Sequence, residues 1–301
     1  MLYLQPGATE AGEAMIRDAL TAQDVPPAVR TRAEEFLAAA DNRNQRLRFS
    51  GSISSGLISD SNANSAPTDS SATIIVTDEA DTSAFLQASG RLTYDLGFQA
   101  GHQFVLDASY YKRFYDEFSE LDLDRIALST GVDLNLGPPG GRPTQLSLRI
   151  DGNIVWRDSE KYLTEIGPSA TLRTVIDQKT SAQISAFFRD QDFIPTTVVT
   201  ANDSRDGDIA GASLRLDRTI SERASAFAVL SGFDKNADAP FEAYTQVALS
   251  AGYAVSIDPP ISFGSDPWVL RLNARIARNS YDGPDPLFLP DVTRRDTIKS
   301  I

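Results

Sequence analysis

The most constraining feature of this chain is an alternation of period two that begins at Leu47 and recurs to the end of the sequence. In "LRFSGSISSGL" the apolar positions Leu47, Phe49, Ile53 and Leu57 alternate with Arg46, Arg48, Ser50, Ser52 and Ser54. In "AFLQASGRLTYDL" the apolar set is Ala84, Leu86, Ala88, Leu92, Tyr94 and Leu96, and in "QLSLRIDGNIVW" it is Leu146, Leu148, Ile150, Ile154 and Trp156. The pattern returns in "QFVLDASYY", "RIALSTGVDLNL", "TEIGPSATLRTVI", "SAQISAFF", "IAGASLRLD", "YTQVALSAGYAVSI" and "VLRLNARIAR". It is less clean in "ASAFAVLSGF", where Phe227 and Val229 share the polar face, and "RDTIKSI" opens a further strand. Successive side chains of a strand point to opposite faces, so each stretch predicts a strand wet on one face and dry on the other.

A soluble sandwich and a large barrel both satisfy that alternation. Two features favour a barrel. The polar faces carry charges in mid-strand, at Arg91, Asp107, Asp133, Arg149, Asp151, Arg173 and Arg215, which suits a wet lumen. The connections also alternate between long ("ISDSNANSAPTDSSATIIVTDEADT", "RFYDEFSELDLD", "RDSEKYL", "RDQDFIPTTVVTANDSRDGD") and short ("GFQAGH", "GPPGGRP", "DQKT", "RTISER"), with "DPPISFGSDP" a mild exception. Long loops on one side and short turns on the other are the habit of outer-membrane barrels. Aromatics gather near strand ends, at Tyr94, Phe98, Tyr110, Tyr111, Phe114, Tyr115, Trp156, Tyr162, Phe187, Phe188, Phe263, Trp268 and Tyr281, as interfacial girdles require. On this reading "SDSNANSAP" marks the point where the first strand becomes an external loop, since Asn, Ser and Pro favour turns and end a ladder.

Residues 1–44 differ from the rest. "TEAGEAMIRDAL" and "PPAVRTRAEEFLAAA" place Met15, Ile16 and Leu20, then Val29, Ala33 and Leu37, at helical spacing, with prolines where a second helix would start. Two short helices follow, either the last unit of a tetratricopeptide-like array or a cap on what comes after. The N-terminus has neither the basic nor the apolar region of a signal peptide, and no apolar run reaches the roughly 20 residues of a membrane helix. A transmembrane strand of about 10 alternating residues escapes that test.

The step from "EEFLAAA" through basic residues into "LRFSGSISSGLISDSNANSAP", with Asp60, Ser61, Asn62, Asn64, Ala66 and Pro67, resembles the surface lipoprotein assembly modifier family. The resemblance implies an antiparallel transmembrane β-barrel of fourteen strands, about twelve of them present over residues 45–301, preceded by the α-helical segment 1–44 on the periplasmic side. It also implies outer-membrane lipid and a client surface lipoprotein as partners, and assistance in the translocation or display of that client. A passive porin-like channel for small solutes is the alternative. The single helix pair, the missing signal peptide and the end at "DTIKSI" imply a fragment of a longer gene product.

Acidic residues exceed basic ones by 41 − 28 = 13, and the basic residues are scattered, so nucleic acid is not an expected partner. Without cysteine there are no disulfides, thiolate metal sites or cysteine nucleophiles. His102, the only histidine, falls in the turn "GFQAGHQF" and suits a surface turn better than a general base. The acidic stretches "YDEFSELDLD" and "DQDF…NDSRDGD" carry hard oxygen ligands but lack EF-hand spacing, and read as solvated loops. The glycines of "GPPGGRP" precede no helix, so they cradle no phosphate. No catalytic residue, cofactor or metal site is expected, and the chain does not read as an enzyme.

Overall fold

A computed structural model describes residues 45–61, 63, 79–98, 100–138, 141–197, 200–258, 268–286 and 291–300, with scattered residues of the N-terminal segment. In that segment Ile16, Asp18, Leu20, residues 30–34 and Leu37 are α-helical; the rest of the predicted helix pair lies outside the described residues, as do most of "SNANSAP" and Phe263.

The remainder is mainly β. Twelve strands run as β1 (Leu47–Asp60), β2 (Asp81–Asp95), β3 (Gln103–Tyr115), β4 (Leu123–Asn135), β5 (Thr144–Arg157), β6 (Glu160–Val175), β7 (Thr180–Phe193), β8 (Gly207–Ser221), β9 (Ala224–Lys235), β10 (Tyr244–Ile257), β11 (Trp268–Pro284) and β12 (Thr293–Ser300). They form one antiparallel sheet in which each strand pairs with its sequence neighbours, a barrel-like meander left open between β1 and β12 among the described residues. The end at which β1 begins is called here the near rim, and the end at which it finishes the far rim.

Register keeps the two faces separate across the whole sheet. Phe49 stands opposite Leu92, which pairs in turn with Leu106; Leu214, Leu230, Leu249 and Ile276 make a similar line across β8–β11. These apolar side chains lie on the convex, open face, where Phe49, Ile53 and Leu57 are 78%, 79% and 79% exposed. The other face is concave, and its side chains shade one another: the side chains of Arg149 and Asp133 are only 12% and 15% exposed.

The strands are staggered. One concave-face line passes through Ser50, Arg91, Asp107, Ser129, Asp151 and Gly167 on β1–β6, and continues through Arg189, Ile209, Lys235, Tyr244 and Tyr281 on β7–β11. It starts four residues into β1, beside the near rim, and finishes four residues from the end of β11, beside the far rim. Tilt and stagger of this kind are what let a sheet curl into a barrel.

The connections depart from the expected alternation in one place. "RDSEKYL" is not a loop: β5 and β6 stay paired through Trp156 with Lys161 and Arg157 with Glu160, leaving a turn of only Asp158 and Ser159. A register shift between Val155 and Trp156 interrupts the alternation there, which made the strand ends look like loop. Both turn residues adopt positive φ, 48° and 63°, as a tight hairpin requires. Ser159→Gly is expected to stabilise the fold by about 0.5–1 kcal/mol by relieving the left-handed backbone, read as a higher urea midpoint with an unchanged slope.

Candidate functional site

The concave face is the part of the molecule with chemistry on it. Its mid-strand charges, expected as a wet lining, are joined in specific pairs. Arg91 holds Asp107 with two hydrogen bonds, Nε to Oδ1 at 2.6 Å and Nη2 to Oδ2 at 3.0 Å. Asp133 accepts from Arg149 Nη2 at 2.5 Å and from Ser147 Oγ at 2.6 Å. Asp151 accepts from Arg189 Nη2 at 2.5 Å and from Ser169 Oγ at 2.6 Å. Arg215 grips Asp217, two residues along the same strand, at 2.7–3.0 Å. Forked guanidinium–carboxylate bonds of this type are both strong and directional. Arg173 forms no ion pair among the described residues; it faces Gln145 and Gln183 across its two ladders.

A second layer of polar contacts fills the space between these pairs. Arg125 donates to Asn153 at 2.7 Å, Asn153 to Glu165 at 3.2 Å, and Gln191 to Glu165 at 2.9 Å. Arg275 reaches Gln246 at 2.7 Å, and Gln246 reaches Asn279 at 2.8 Å, above Ala248 and Ala277, which are buried.

Two glycines make the central pairs possible. Arg149 lies against Gly131 on the neighbouring strand and donates to the Val132 carbonyl at 2.7 Å. A Cβ at Gly131 would come within 1.9 Å of the Leu148 carbonyl oxygen, so the strands approach there more closely than any side chain permits. Arg189 repeats the arrangement beside Gly167, where a Cβ would meet the Phe188 carbonyl at 2.1 Å. It passes across β6 to Asp151 and donates to the Gly167 and Pro168 carbonyls at 3.3 and 2.9 Å. Pro168, in mid-strand, has no N–H for the ladder. The guanidinium covers the backbone where the ladder is weakest.

Sequence reasoning placed Asn153 on the polar face and missed Arg189, Glu165, Gln191 and Pro168 as participants. For Arg189 the signal was available: "SAQISAFF" continues its parity through Arg189 and Gln191, and β7 runs to Phe193, but the charges after Phe188 resembled a loop.

On the near half of the concave face, small side chains leave a recess of about 510 Å³, lined by Ser50, Ser52, Ser89, Ser109 and Ser129 beside the Arg91–Asp107 pair. Ser52 and Ser89 hydroxyls lie 2.8 Å apart. The remaining sequence candidates are placed plainly. His102 Nδ1 accepts the Asn135 N–H at 3.1 Å and its ring packs near Phe98, a turn contact. In "YDEFSELDLD", Asp122 accepts the Tyr115 N–H at 2.8 Å, while Asp124 is held by Tyr110 and Lys112 at 2.6 and 2.9 Å. Asp190 and Asp208 oppose each other on the convex face, whereas Asp206 accepts the Phe193 N–H at 2.5 Å. Among the described residues no three or more carboxylates or histidines come together as metal ligands.

The far rim above β6–β11 is built differently, from rings and cations. Tyr162 packs edge-on against Phe193 at 5.8 Å, Phe233 against Tyr244 at 5.6 Å, and Tyr244 beside Tyr281 at 5.0 Å. Lys235 lies over Phe193 at 4.6 Å and Arg294 over Tyr281 at 4.9 Å. The connection 194–206 is tied across this rim: Arg205 donates to the Tyr162 hydroxyl at 2.6 Å and pairs with Glu242 at 3.2 Å, and Ala239 N–H bonds Ser204 O at 2.9 Å.

No family model, curated protein or solved structure matches the sequence.

Proposed function

We propose that this sheet forms the wall of a β-barrel in a bacterial outer membrane, and that the protein assists the translocation or display of surface lipoproteins. The observation that carries the first half is the contrast between the two faces: a convex face of exposed Leu, Ile, Phe and Val, and a concave face of paired charges. So large an exposed apolar surface is untenable in water. Lipid requires it on the outside of a barrel whose interior is polar. Tyr94, Phe104 and Trp268 near one rim and Tyr110, Phe114 and Trp156 near the other sit on the convex face, as interfacial anchors would. The near rim, with the helical segment before it, faces the periplasm on this reading.

The lipoprotein role rests on the junction between that segment and β1. The expected result is that deleting the gene hides at least one surface lipoprotein from external protease and that the full gene restores exposure. Unchanged exposure of every surface lipoprotein would end this reading. The charged, covered inner wall supports a small-solute channel as the second reading. Steady single-channel conductance from the purified protein, with lipoprotein display intact in the deletion strain, would favour that channel.

A further inference from the structure

We infer that a recess on the near half of the concave face, between β9 and β12 and walled by Arg271 and Arg275, is a binding site for a phosphate group, free or carried on a small molecule. The inference goes beyond the membrane and lipoprotein reading and needs neither.

The recess holds about 640 Å³ and is lined by Phe227, Ser250, Arg271, Asn273, Arg275 and Ser300. Register brings these residues together. Ser250, Arg275 and Ser300 are successive partners across β10, β11 and β12. Two residues closer to the near rim, Phe227, Gly252 and Asn273 are successive partners across β9, β10 and β11. Gly252 carries no side chain, and Phe227 and Asn273 lean over it from either side: a Cβ there would meet Asn273 Oδ1 at 2.5 Å. Arg271 and Arg275 flank Asn273 on the same face. They stand about 13 Å apart along the strand, a span within the combined reach of two arginine side chains.

Neither arginine has a carboxylate. Arg271 makes no hydrogen bond or ion pair among the described residues, and Arg275 gives one N–H to the neutral Gln246 amide at 2.7 Å. Strands β8–β12 present two carboxylates to the concave face, Asp217 and Asp296, and each is held at 2.7 Å by an arginine of its own strand, Arg215 and Arg294. Asp258, just beyond β10, is taken by Arg223 at 2.8 Å, and Glu222 of the β8–β9 turn does not line the recess. Two guanidinium groups thus share a wall without an acid, in a chain whose net charge is −13. Asn273, Ser250 and Ser300 add an amide and two hydroxyls that can also donate. A carboxylate brings two oxygens to such a set of donors. A phosphate brings three and a charge of about −1.5 to −2, and guanidinium forks match its oxygens in pairs. Phe227 supplies an apolar wall beside the donors, where a small carbon skeleton attached to the phosphate can pack.

The test is calorimetric titration of the purified full chain, at constant ionic strength, with inorganic phosphate, glycerol 3-phosphate, acetate and glycerol. The better of the two phosphates is expected to bind about tenfold more tightly than acetate or glycerol. Tighter binding of glycerol 3-phosphate assigns the site to an esterified phosphate, and tighter binding of inorganic phosphate to the free ion. Arg271→Gln is expected to weaken that binding about tenfold with the urea midpoint unchanged, because the arginine gives up no internal partner. Arg173→Gln, which removes a concave-face arginine of β6 outside the recess, should bind as the parent does. A second measurement needs no variant: the preferred phosphate should slow modification of Arg271 by phenylglyoxal several-fold, read by peptide mass, and leave Arg173 unprotected. Acetate or glycerol binding as tightly as the phosphates, no binding, full affinity in Arg271→Gln, an equal loss in Arg173→Gln, or no protection of Arg271 would overturn the assignment.

Discussion

Valine at position 131 is expected to abolish the folded sheet. The Cβ it adds would lie 1.9 Å from the Leu148 carbonyl oxygen and 2.9 Å from Arg149 Cα, both backbone, so no rotamer relieves the clash and β4 must part from β5. Separation would also move the Val132 carbonyl and Asp133 away from Arg149, leaving a guanidinium that is 12% exposed without its partners. Overpacking combined with an unpaired, partly buried charge belongs to the rare class of substitutions costing about 4 kcal/mol or more. Gly152→Val is the control. It lies one strand over on the convex face, and its nearest neighbour, the Glu165 carbonyl, would be an ordinary 3.9 Å from the new Cβ. That variant should stay within about 0.5 kcal/mol of the parent. Urea melts of the two proteins, with strand content followed by circular dichroism, decide the matter: equal midpoints would mean that the close approach at Gly131 is not a constraint.

Asp151→Ala is the second large effect. Its carboxylate is the shared acceptor of Arg189 and Ser169, and removing it strands a guanidinium that also caps the carbonyls beside Pro168. Removal of one partner from a largely buried pair costs about 3 kcal/mol, more than the pair itself contributes. Arg189→Met should destabilise by a comparable route, because the Gly167 and Pro168 carbonyls lose their donor. The double variant Asp151→Ala, Arg189→Met should therefore cost at least about 1 kcal/mol less than the sum of the singles. Strict additivity in that cycle would show that the two side chains do not act as a unit.

These effects separate what the sequence discloses from what it withholds. Parity alone assigns Arg91, Asp107, Asp133, Arg149 and Asp151 to one face, because alternation in a strand is a local property. It also predicts the strands themselves, including the twelfth from "RDTIKSI", although β1 runs on through Ile58, Ser59 and Asp60, which read as the start of a loop. Partnership is not local. Arg189 pairs with Asp151, 38 residues earlier, only because β6 lies between them and presents Gly167, and that depends on the register of two ladders at once. The far-rim corner was still less legible. Lys235 reads as part of the connection "DKNADAPFEA", whereas it ends β9, and its burial follows from Arg205, Glu242 and Phe193 arriving from separate connections and strands. The Asp158–Ser159 turn was hidden for the opposite reason: a register shift disturbed the local pattern where the strands in fact continue.

The stagger of the strands has a consequence for anything that moves along the concave wall. The line from Ser50 to Tyr281 is a screw thread, climbing from one rim to the other as it passes around the sheet. Its stations, a serine, an Arg–Asp clasp, an Asp–Arg clasp across a glycine, and finally a lysine between aromatic rings, come at successive heights. In the barrel proposed above, an ion moving along the axis would meet them one after another, so no single level would act as the charged ring that filters ions in a selective pore. A flexible chain lying against the wall could instead follow the thread, turning as it advanced and exchanging one set of polar partners for the next.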